Sequence, residues 1–205
     1  ITSYSGPFYP NALHPYTVLT EAGFTVDLAS ETGHYGMDPH SISKDFMNDS
    51  DFATYNDPNN EFSKKLAHLY KASELNPEDY GLFFASAGHA TLFDYPTAKA
   101  LIGIAESVWA RGGVVSAVCH GPAILPSIKD RKTGKSVTGF TDEGEEMMDL
   151  MGTIREFKLV PISQSAKDAG ATYVKPKTPF EDFAVTDGAC AHSTAVEAVK
   201  AFAAL

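Results

Sequence analysis

The sequence predicts an α/β fold in which a doubly wound, mostly parallel sheet carries helices on both faces. Short β-branched or aromatic runs alternate with longer helical patterns along the 205 residues. This order is expected when parallel strands are joined by crossover helices. Two runs, Leu82–Ala85 and Val114–Val118, are almost continuously apolar, which is typical of strands covered on both faces. We therefore expect these two strands at the centre of the sheet.

The remaining elements follow from strand-forming residues and from helix start and stop signals. The predicted strands are Thr25–Ala29, Leu82–Ser86, Gly113–Val118, Val137–Phe140 and Phe183–Thr186. The predicted helices run from Pro15 to Gly23, from Glu61 to Tyr70, from Asp94 to Arg111 and from His192 to Leu205. A stretch rich in Asp, Asn, Ser and His, at about 33–76, is interpreted as a polar insertion over the sheet edge or the mouth of the site. A chain of this length and apolar content is expected to form a single domain, residues 1–205.

The composition disfavours several classes of function. A formal net charge of -10 and a pI near 5.0 would repel nucleic acids and anionic lipid surfaces. No apolar run approaches the roughly 18 residues that cross a bilayer, and the first residues lack a basic region followed by an apolar stretch. The two cysteines, Cys119 and Cys190, are weak evidence for a disulfide framework, which favours a reducing, cytoplasmic location.

The strongest chemical signal lies between Val114 and Ile124. A buried strand ends at Cys119, and Gly121-Pro122 then opens a helix with proline in its first turn. The sulfur would stand on a tight turn at the carboxyl end of a central strand, facing a helix N-terminus that favours thiolate over thiol. Free cysteine is also a common buried apolar side chain, so the residues alone leave both interpretations open.

Four motifs carry a resemblance to a known family. The segment 117–123 (AVCHGPA) resembles the cysteine elbow of the ThiJ/PfpI superfamily, which has the flavodoxin-like, class I glutamine amidotransferase-like fold. The segments 30–33 (SETG), 84–96 (FASAGHATLFDYP) and 138–145 (TGFTDEGE) narrow the resemblance to its fungal heat-shock-induced branch, the glutathione-independent glyoxalase III proteins. The resemblance extends over almost the whole chain.

This resemblance implies a catalytic triad of Cys119, His120 and Glu145. In such a triad the histidine holds the proton and the carboxylate orients its ring. Taken alone, Glu145 is one acid in the run Asp142–Glu146, and such a run is usually a solvated face. The turn at Gly88 and His89 closes an apolar strand, so we expect its backbone N–H groups, with that of His120, to bind a developing oxyanion. The imidazole of His89 itself is interpreted as a turn residue.

The family reaction implies attack of the thiolate on the aldehyde of methylglyoxal, an enediol, a thioester and finally lactate. The branch places a glutamate base directly before an Ala-Leu-His-Pro motif, whereas here Asn11 precedes Ala12–Pro15. An amide cannot take up a proton, so we expect Asn11 to contact substrate and turnover to be weak. Two alternatives stay open: a diverged hydrolase, lyase or hydratase that keeps Cys119, and a stress-response holdase chaperone or redox sensor.

The predicted partners are a small aldehyde or another electrophilic metabolite and, by resemblance, a second copy in a homodimer. No cofactor is expected, and four histidines lack the spacing of a metal site: His14, His34, His40 and His192. Cys190 is interpreted as a packed cysteine near a helix start. Relative to the branch, the chain is short near Pro10, Lys135 and Gly188, and its first strand begins only at Ile1. A loss of residues after Gly188 would remove a sheet strand, which an ordinary surface-loop deletion would not do.

Overall fold

The computed structural model describes residues 8–129, 134–187, 190–192 and 195–205. The α-helices are α1 (Tyr9–Glu21), α2 (Asp49–Asn56), α3 (Glu61–Ala67), α4 (Thr91–Asp94), α5 (Lys99–Ala110), α6 (Asp142–Met147), α7 (Met151–Glu156), α8 (Ile162–Asp168) and α9 (Ala195–Ala203). The strands are β1 (Ala29–Ser30), β2 (Tyr70–Lys71), β3 (Leu82–Ala85), β4 (Val114–Ala117), β5 (Ser136–Val137), β6 (Thr172–Tyr173), β7 (Val185–Asp187) and β8 (Cys190–His192). Short 3-10 helices cover Pro39–Ile42, Ala72–Glu74, Pro77–Asp79, Tyr95–Thr97 and Gly121–Ser127.

A four-stranded sheet in the order β3-β4-β8-β7 lies at the centre of the described fold. β3 and β4 pair in parallel, β8 is parallel to β4, and β7 is the antiparallel edge. Two further parallel pairs, β1 with β2 and β5 with β6, form separate small sheets. The predicted α/β class with a mostly parallel sheet is confirmed.

Alternate residues of β3 and β4 point to opposite faces of the sheet, as the strand period of two requires. One face joins a large core cluster with side chains of α5 and α8: Phe83, Ala85, Val115, Ala117, Leu101, Ile104, Val108, Ile162 and Ala166. The other face packs against α1 and α9: Phe84, Val114, Leu19, Ala195, Ala198 and Ala201. The sheet is therefore covered on both sides, which explains the continuous apolar character of its two central strands.

Helix α1 begins earlier than predicted. Pro10 lies in its first turn, where a missing N–H costs nothing, and the predicted starting residue, Pro15, lies inside the helix. The side chains of Tyr9, Ala12 and Leu13 are buried with residues of α3, and this packing extends the helix past the proline signal. The consequence for the site is that Asn11 is held on a helix.

Helix boundaries also differ elsewhere. The helix predicted over Asp94–Arg111 is divided into α4, the 3-10 turn Tyr95–Thr97 and α5, because Pro96 interrupts it. The carboxylate of Glu31 caps α5 by accepting from the N–H of Ala100 at 3.0 Å and that of Leu101 at 3.1 Å. The helix after Cys119 is a 3-10 helix rather than an α-helix. The helix predicted over Glu61–Tyr70 ends at Ala67, since Tyr70 enters β2.

The predicted strands are correct in position and wrong in length. The strand over Thr25–Ala29 is reduced to β1, the strand over Val137–Phe140 to β5, and the strand over Phe183–Thr186 is shifted to β7. The helix predicted from His192 starts at Ala195, because β8 occupies Cys190–His192. Strand β8 therefore pairs with β4, close in sequence to Gly188, where the chain is short relative to the branch. Gly188, the first strand at Ile1 and the side chains of His40, Cys190 and His192 lie outside the described part of the structure.

The polar segment 33–76 contains α2, α3 and β2. Phe62 and Leu66 of α3 pack against Tyr9 and Leu13 of α1, so the segment contributes a core cluster of its own. Among the described residues no helix is long and apolar enough to span a membrane. A cavity of about 280 Å³ lies between 24–29 and β3, and none of the predicted site residues lines it.

Two glycines give a matched test of this packing. A Cβ at Gly121 would lie 2.4 Å from the carbonyl oxygen of Ala85, whereas a Cβ at Gly103 in α5 would meet nothing within 4 Å. We expect Gly121→Ala to lower the free energy of unfolding by about 1–3 kcal/mol through overpacking. Gly103→Ala should raise it by about 0.5–1 kcal/mol through helix propensity. Urea unfolding measures both, and equal effects of the two substitutions would contradict the close approach of the 3-10 helix to β3.

Candidate active site

Cys119 directly follows β4 and has a φ of 56°, in the left-handed region that few residues other than glycine adopt. The flanking backbone fixes this conformation. Val118 donates its N–H to the carbonyl of Ala85 at 3.1 Å, and the carbonyl of Cys119 accepts from the N–H of Phe140 at 2.8 Å. The strained residue thus stands at the carboxyl end of a central strand, where α/β folds place their ligands.

The three residues of the predicted triad lie in one chain of contacts. The Sγ atom of Cys119 is 3.1 Å from Nδ1 of His120, and Nε2 of His120 is 2.6 Å from Oε1 of Glu145. The side chains of His120 and Glu145 are 0% and 2% exposed. Both ring nitrogens of one histidine are therefore engaged, one by the sulfur and one by a buried carboxylate.

Glu145 reaches this position because the first turn of α6 directs the Glu145 side chain into the core. The hydroxyl of Thr141 caps the helix by accepting from the N–H of Gly144 at 3.0 Å, and the N–H of Glu145 bonds to the carbonyl of Thr141 at 3.1 Å. Its neighbour Glu143 forms an exposed ion pair with Lys175 instead. The acidic run is thus a solvated face at Glu143, whereas Glu145 is buried.

The protonation states follow from the surroundings. Burial alone would raise the pKa of Glu145, but the hydrogen bond from His120 and the nearby imidazole of His89 lower that pKa to about 2. An ionised carboxylate only accepts, so Nε2 of His120 must carry a proton. Burial also lowers the pKa of His120, which keeps the ring neutral, and Nδ1 is then the free acceptor that faces the sulfur.

The prediction of a resting thiolate at Cys119 is contradicted. Cys119 keeps partial solvent contact, yet burial around its sulfur raises the pKa of the thiol to about 12, and the charge of Glu145 adds to the rise. Hydrogen bonds from the backbone N–H of His120 and from the side chain of Asn11 oppose this shift without overcoming it. The physical reason is that desolvation outweighs the dipole of a single 3-10 segment. The resting sulfur is a thiol that donates to Nδ1.

Asn11 lies beside the sulfur of Cys119. Its amide nitrogen donates to the carbonyl oxygen of Ala87 at 3.0 Å and also lies within hydrogen-bonding reach of Cys119. Helix α1 carries Asn11 to this place, and the N–H of Phe8 bonds to the same carbonyl of Ala87 at 3.2 Å. The position of the expected base therefore holds a fixed, uncharged donor.

The Gly88 and His89 turn follows β3 at the same edge of the sheet. The carbonyl of Gly88 accepts from the N–H and hydroxyl of Thr91 at 3.1 and 2.7 Å, which fixes the turn. The imidazole of His89 packs against the ring of His120, with centroids 4.2 Å apart, and its Nε2 lies 3.3 Å from Oε2 of Glu145. Sequence reasoning did not find this contact, because it depends on a turn and helix α6 meeting in space.

Phe140 is a further residue of the site that sequence reasoning missed. Its ring centroid is 4.6 Å from that of His120 and 5.3 Å from that of His89, and exposed Phe180 lies 6.0 Å from it on the outer side. Phe140 belongs to the segment 138–145 that carries the family resemblance, and that was the available signal. It covers the two imidazoles with an apolar surface.

Within the described residues, the ligand atoms of His89, His120 and Glu145 lie within 4.8 Å of one another, a spacing that could hold a metal ion. The 2.6 Å contact between His120 and Glu145 already engages two of these atoms with each other. His14 instead binds Oδ1 of Asp51 at 3.0 Å, away from this cluster.

Comparison with known proteins shows the family to which this chain belongs. The chain is 48% identical to glyoxalase 3 of Candida albicans over 190 residues, which cover 90% of the chain and 80% of the relative. It is 45% identical to the glutathione-independent glyoxalase HSP31 of Saccharomyces cerevisiae over 211 residues, 96% of the chain and 89% of the relative. The chain belongs to the glutathione-independent glyoxalase family. The predicted resemblance is thereby confirmed.

The fold agrees with this assignment. The crystal structure of glyoxalase III from Candida albicans superposes with a TM-score of 0.91 at 42% sequence identity, covering 99% of this chain and 93% of that one. No model of a known protein family matches the chain. The catalytic and substrate-binding roles of the individual residues stay predictions.

The raised pKa of Cys119 has a spectroscopic consequence. Since the thiol stays protonated until its pKa of about 12 is approached, we expect no thiolate absorbance from Cys119 near 240 nm between pH 6 and 9. The measurement is the difference in absorbance between the native protein and Cys119→Ala across a pH titration. The alanine variant removes the contributions of Cys190 and the tyrosines. A difference signal that titrates between pH 6 and 8 would contradict the buried, protonated thiol.

Proposed function

We propose that this protein is a glutathione-independent glyoxalase that converts a small 2-oxoaldehyde such as methylglyoxal into the corresponding 2-hydroxy acid, with Cys119 as nucleophile. The observation that best supports this proposal is the chain of contacts from the Cys119 sulfur to His120, at 3.1 Å, and from His120 to Glu145, at 2.6 Å. The names of its relatives in Candida albicans and Saccharomyces cerevisiae support the same activity.

The first step couples attack to proton transfer. Because the thiol is protonated at neutral pH, Nδ1 of His120 removes its proton as the sulfur bonds to the aldehyde carbon. Glu145 stabilises the imidazolium that forms, as a buried carboxylate does in hydrolase triads. The carbonyl electron pair moves to oxygen, which takes the proton from His120, and the product is a hemithioacetal.

The second step moves a proton from the former aldehyde carbon to the neighbouring ketone carbon. The first carbon is oxidised to a thioester and the second is reduced to an alcohol, so the reaction is an internal redox exchange that needs no external oxidant or reductant. Water then hydrolyses the thioester and restores the thiol. His120 is the titratable group placed at the sulfur to shuttle this proton, because the amide of Asn11 cannot accept one.

The turn after β3 supplies donors to the same place. We assign the backbone N–H groups of Gly88 and His89 to the substrate oxygen that develops negative charge, since the ring of His89 packs 4.2 Å from the ring of His120. Asn11 would orient the second carbonyl through its amide. These donors need no charge of their own, which suits a site that already contains the anionic Glu145.

The pKa of the Cys119 thiol helps to distinguish the alternative functions, a redox sensor and a diverged enzyme. A redox sensor needs a cysteine with a lowered pKa, and burial raises the pKa of Cys119 instead. This observation favours an enzyme that activates the thiol only during attack. A diverged enzyme on another electrophile would keep the contacts of Cys119 and His120 and lose turnover of 2-oxoaldehydes. A homodimer and a cytoplasmic location remain predictions.

The activity test centres on Asn11. A missing general base typically costs about 10²- to 10⁴-fold in rate, so we expect slow native formation of lactate from methylglyoxal. Asn11→Glu places a carboxyl group beside the carbonyl of Ala87, which favours its protonated form and raises its pKa toward neutrality. Turnover should rise about tenfold or more, measured as lactate released without glutathione.

Asn11→Gln is the matched control, since it has the length of glutamate without the titration and should not gain activity. Native lactate formation within about tenfold of that of Asn11→Glu would show that His120 alone serves as base. No lactate from either protein would overturn the proposed function and favour the diverged enzyme.

A further inference from the structure

The buried carboxylate of Glu145 has one satisfied oxygen and one that lacks a proper donor. Oε1 accepts from His120 at 2.6 Å, whereas Oε2 has no hydrogen-bond partner among the described residues. Nε2 of His89 is also buried without a partner there, and these two unpartnered atoms lie 3.3 Å apart. Their distance suits a hydrogen bond, and only the alignment of the N–H falls short.

The surroundings of His89 keep its ring at this position. Its imidazole packs against His120 on one side and against Phe140 on another, with centroid distances of 4.2 and 5.3 Å. The side chain is 24% exposed, so one edge still reaches solvent. Two titratable side chains face it: Glu145 from α6, and His120 from the turn directly before the 3-10 helix. A residue that only formed the turn would not need its ring nitrogen at the carboxylate.

We propose that His89 is a positioning residue, whose Nε2–H donates to Oε2 of Glu145 and thereby holds Oε1 against His120. Since Glu145 is an acceptor only, His89 must be the donor in this pair. A small rotation of the imidazole aligns the N–H with the oxygen. The inference rests on the proposed function for its catalytic meaning, but the contact itself acts on the reactivity of Cys119.

The experiment measures the rate of alkylation of Cys119 by iodoacetamide at pH 8, with peptide mapping to separate Cys119 from Cys190. His89→Leu removes the donor, and we expect alkylation at pH 8 to slow about tenfold. His89→Gln keeps an N–H donor at this position. We expect it to react within about threefold of the native protein at pH 8. Exposed His68 offers the control His68→Leu, which should match the native protein.

The proposal is overturned if folded His89→Leu reacts like the native protein, or if His89→Gln is as slow as His89→Leu. If His89→Leu does not fold, a rate for His89→Gln about tenfold below that of the native protein overturns it. Alkylation needs no aldehyde substrate. The expected alkylation rates without any lactate formation would therefore support the role of His89 and reject the proposed function alone.

Discussion

The buried, ionised carboxylate of Glu145 determines the protonation of the whole site. Because it can only accept, it fixes the proton of His120 on Nε2 and leaves Nδ1 free for the sulfur. Its negative charge also opposes a second anion nearby, which helps to keep the Cys119 thiol protonated. Such a charge is tolerated at 2% exposure because the imidazoles of His120 and His89 lower its pKa.

The backbone around Cys119 must be rigid for this relay to hold its distances. A left-handed non-glycine residue persists only where its neighbours over-determine it. Two glycines allow the close packing around Cys119. A Cβ at Gly121 would lie 2.4 Å from the carbonyl oxygen of Ala85, and a Cβ at Gly139 would lie 2.8 Å from the carbonyl oxygen of Cys119. The parallel strands β3 and β4 therefore serve the site by anchoring both of these close approaches.

The sequence predicted those features that are encoded locally. The central strands carry continuous apolar runs and were found, whereas β2 has two exposed residues and gives no pattern. The elbow at Cys119 is likewise local. The burial of Glu145 needed the family resemblance, because its helix face is selected by tertiary packing. The pKa of Cys119 was predicted in the wrong direction, since desolvation depends on atoms that are distant in sequence. The contact of His89 with Glu145 joins a turn to helix α6, 56 positions apart, and has no local signal.

Asn11 changes the electrostatics of this arrangement as well as its proton transfer. With an amide at that position, Glu145 is the anion that acts on the thiol, and the thiol receives a donor that favours its charged form. A glutamate there would bring a second carboxyl group toward Cys119 and the carbonyl of Ala87. Two adjacent anions in a desolvated site are unfavourable, so one group would remain protonated. The raised pKa of that group would let it release and take up a proton near neutral pH, and its ionised form is the base that a proton shuttle between two carbons needs. The amide therefore stabilises the nucleophile during attack, and it leaves His120 to carry every proton that moves.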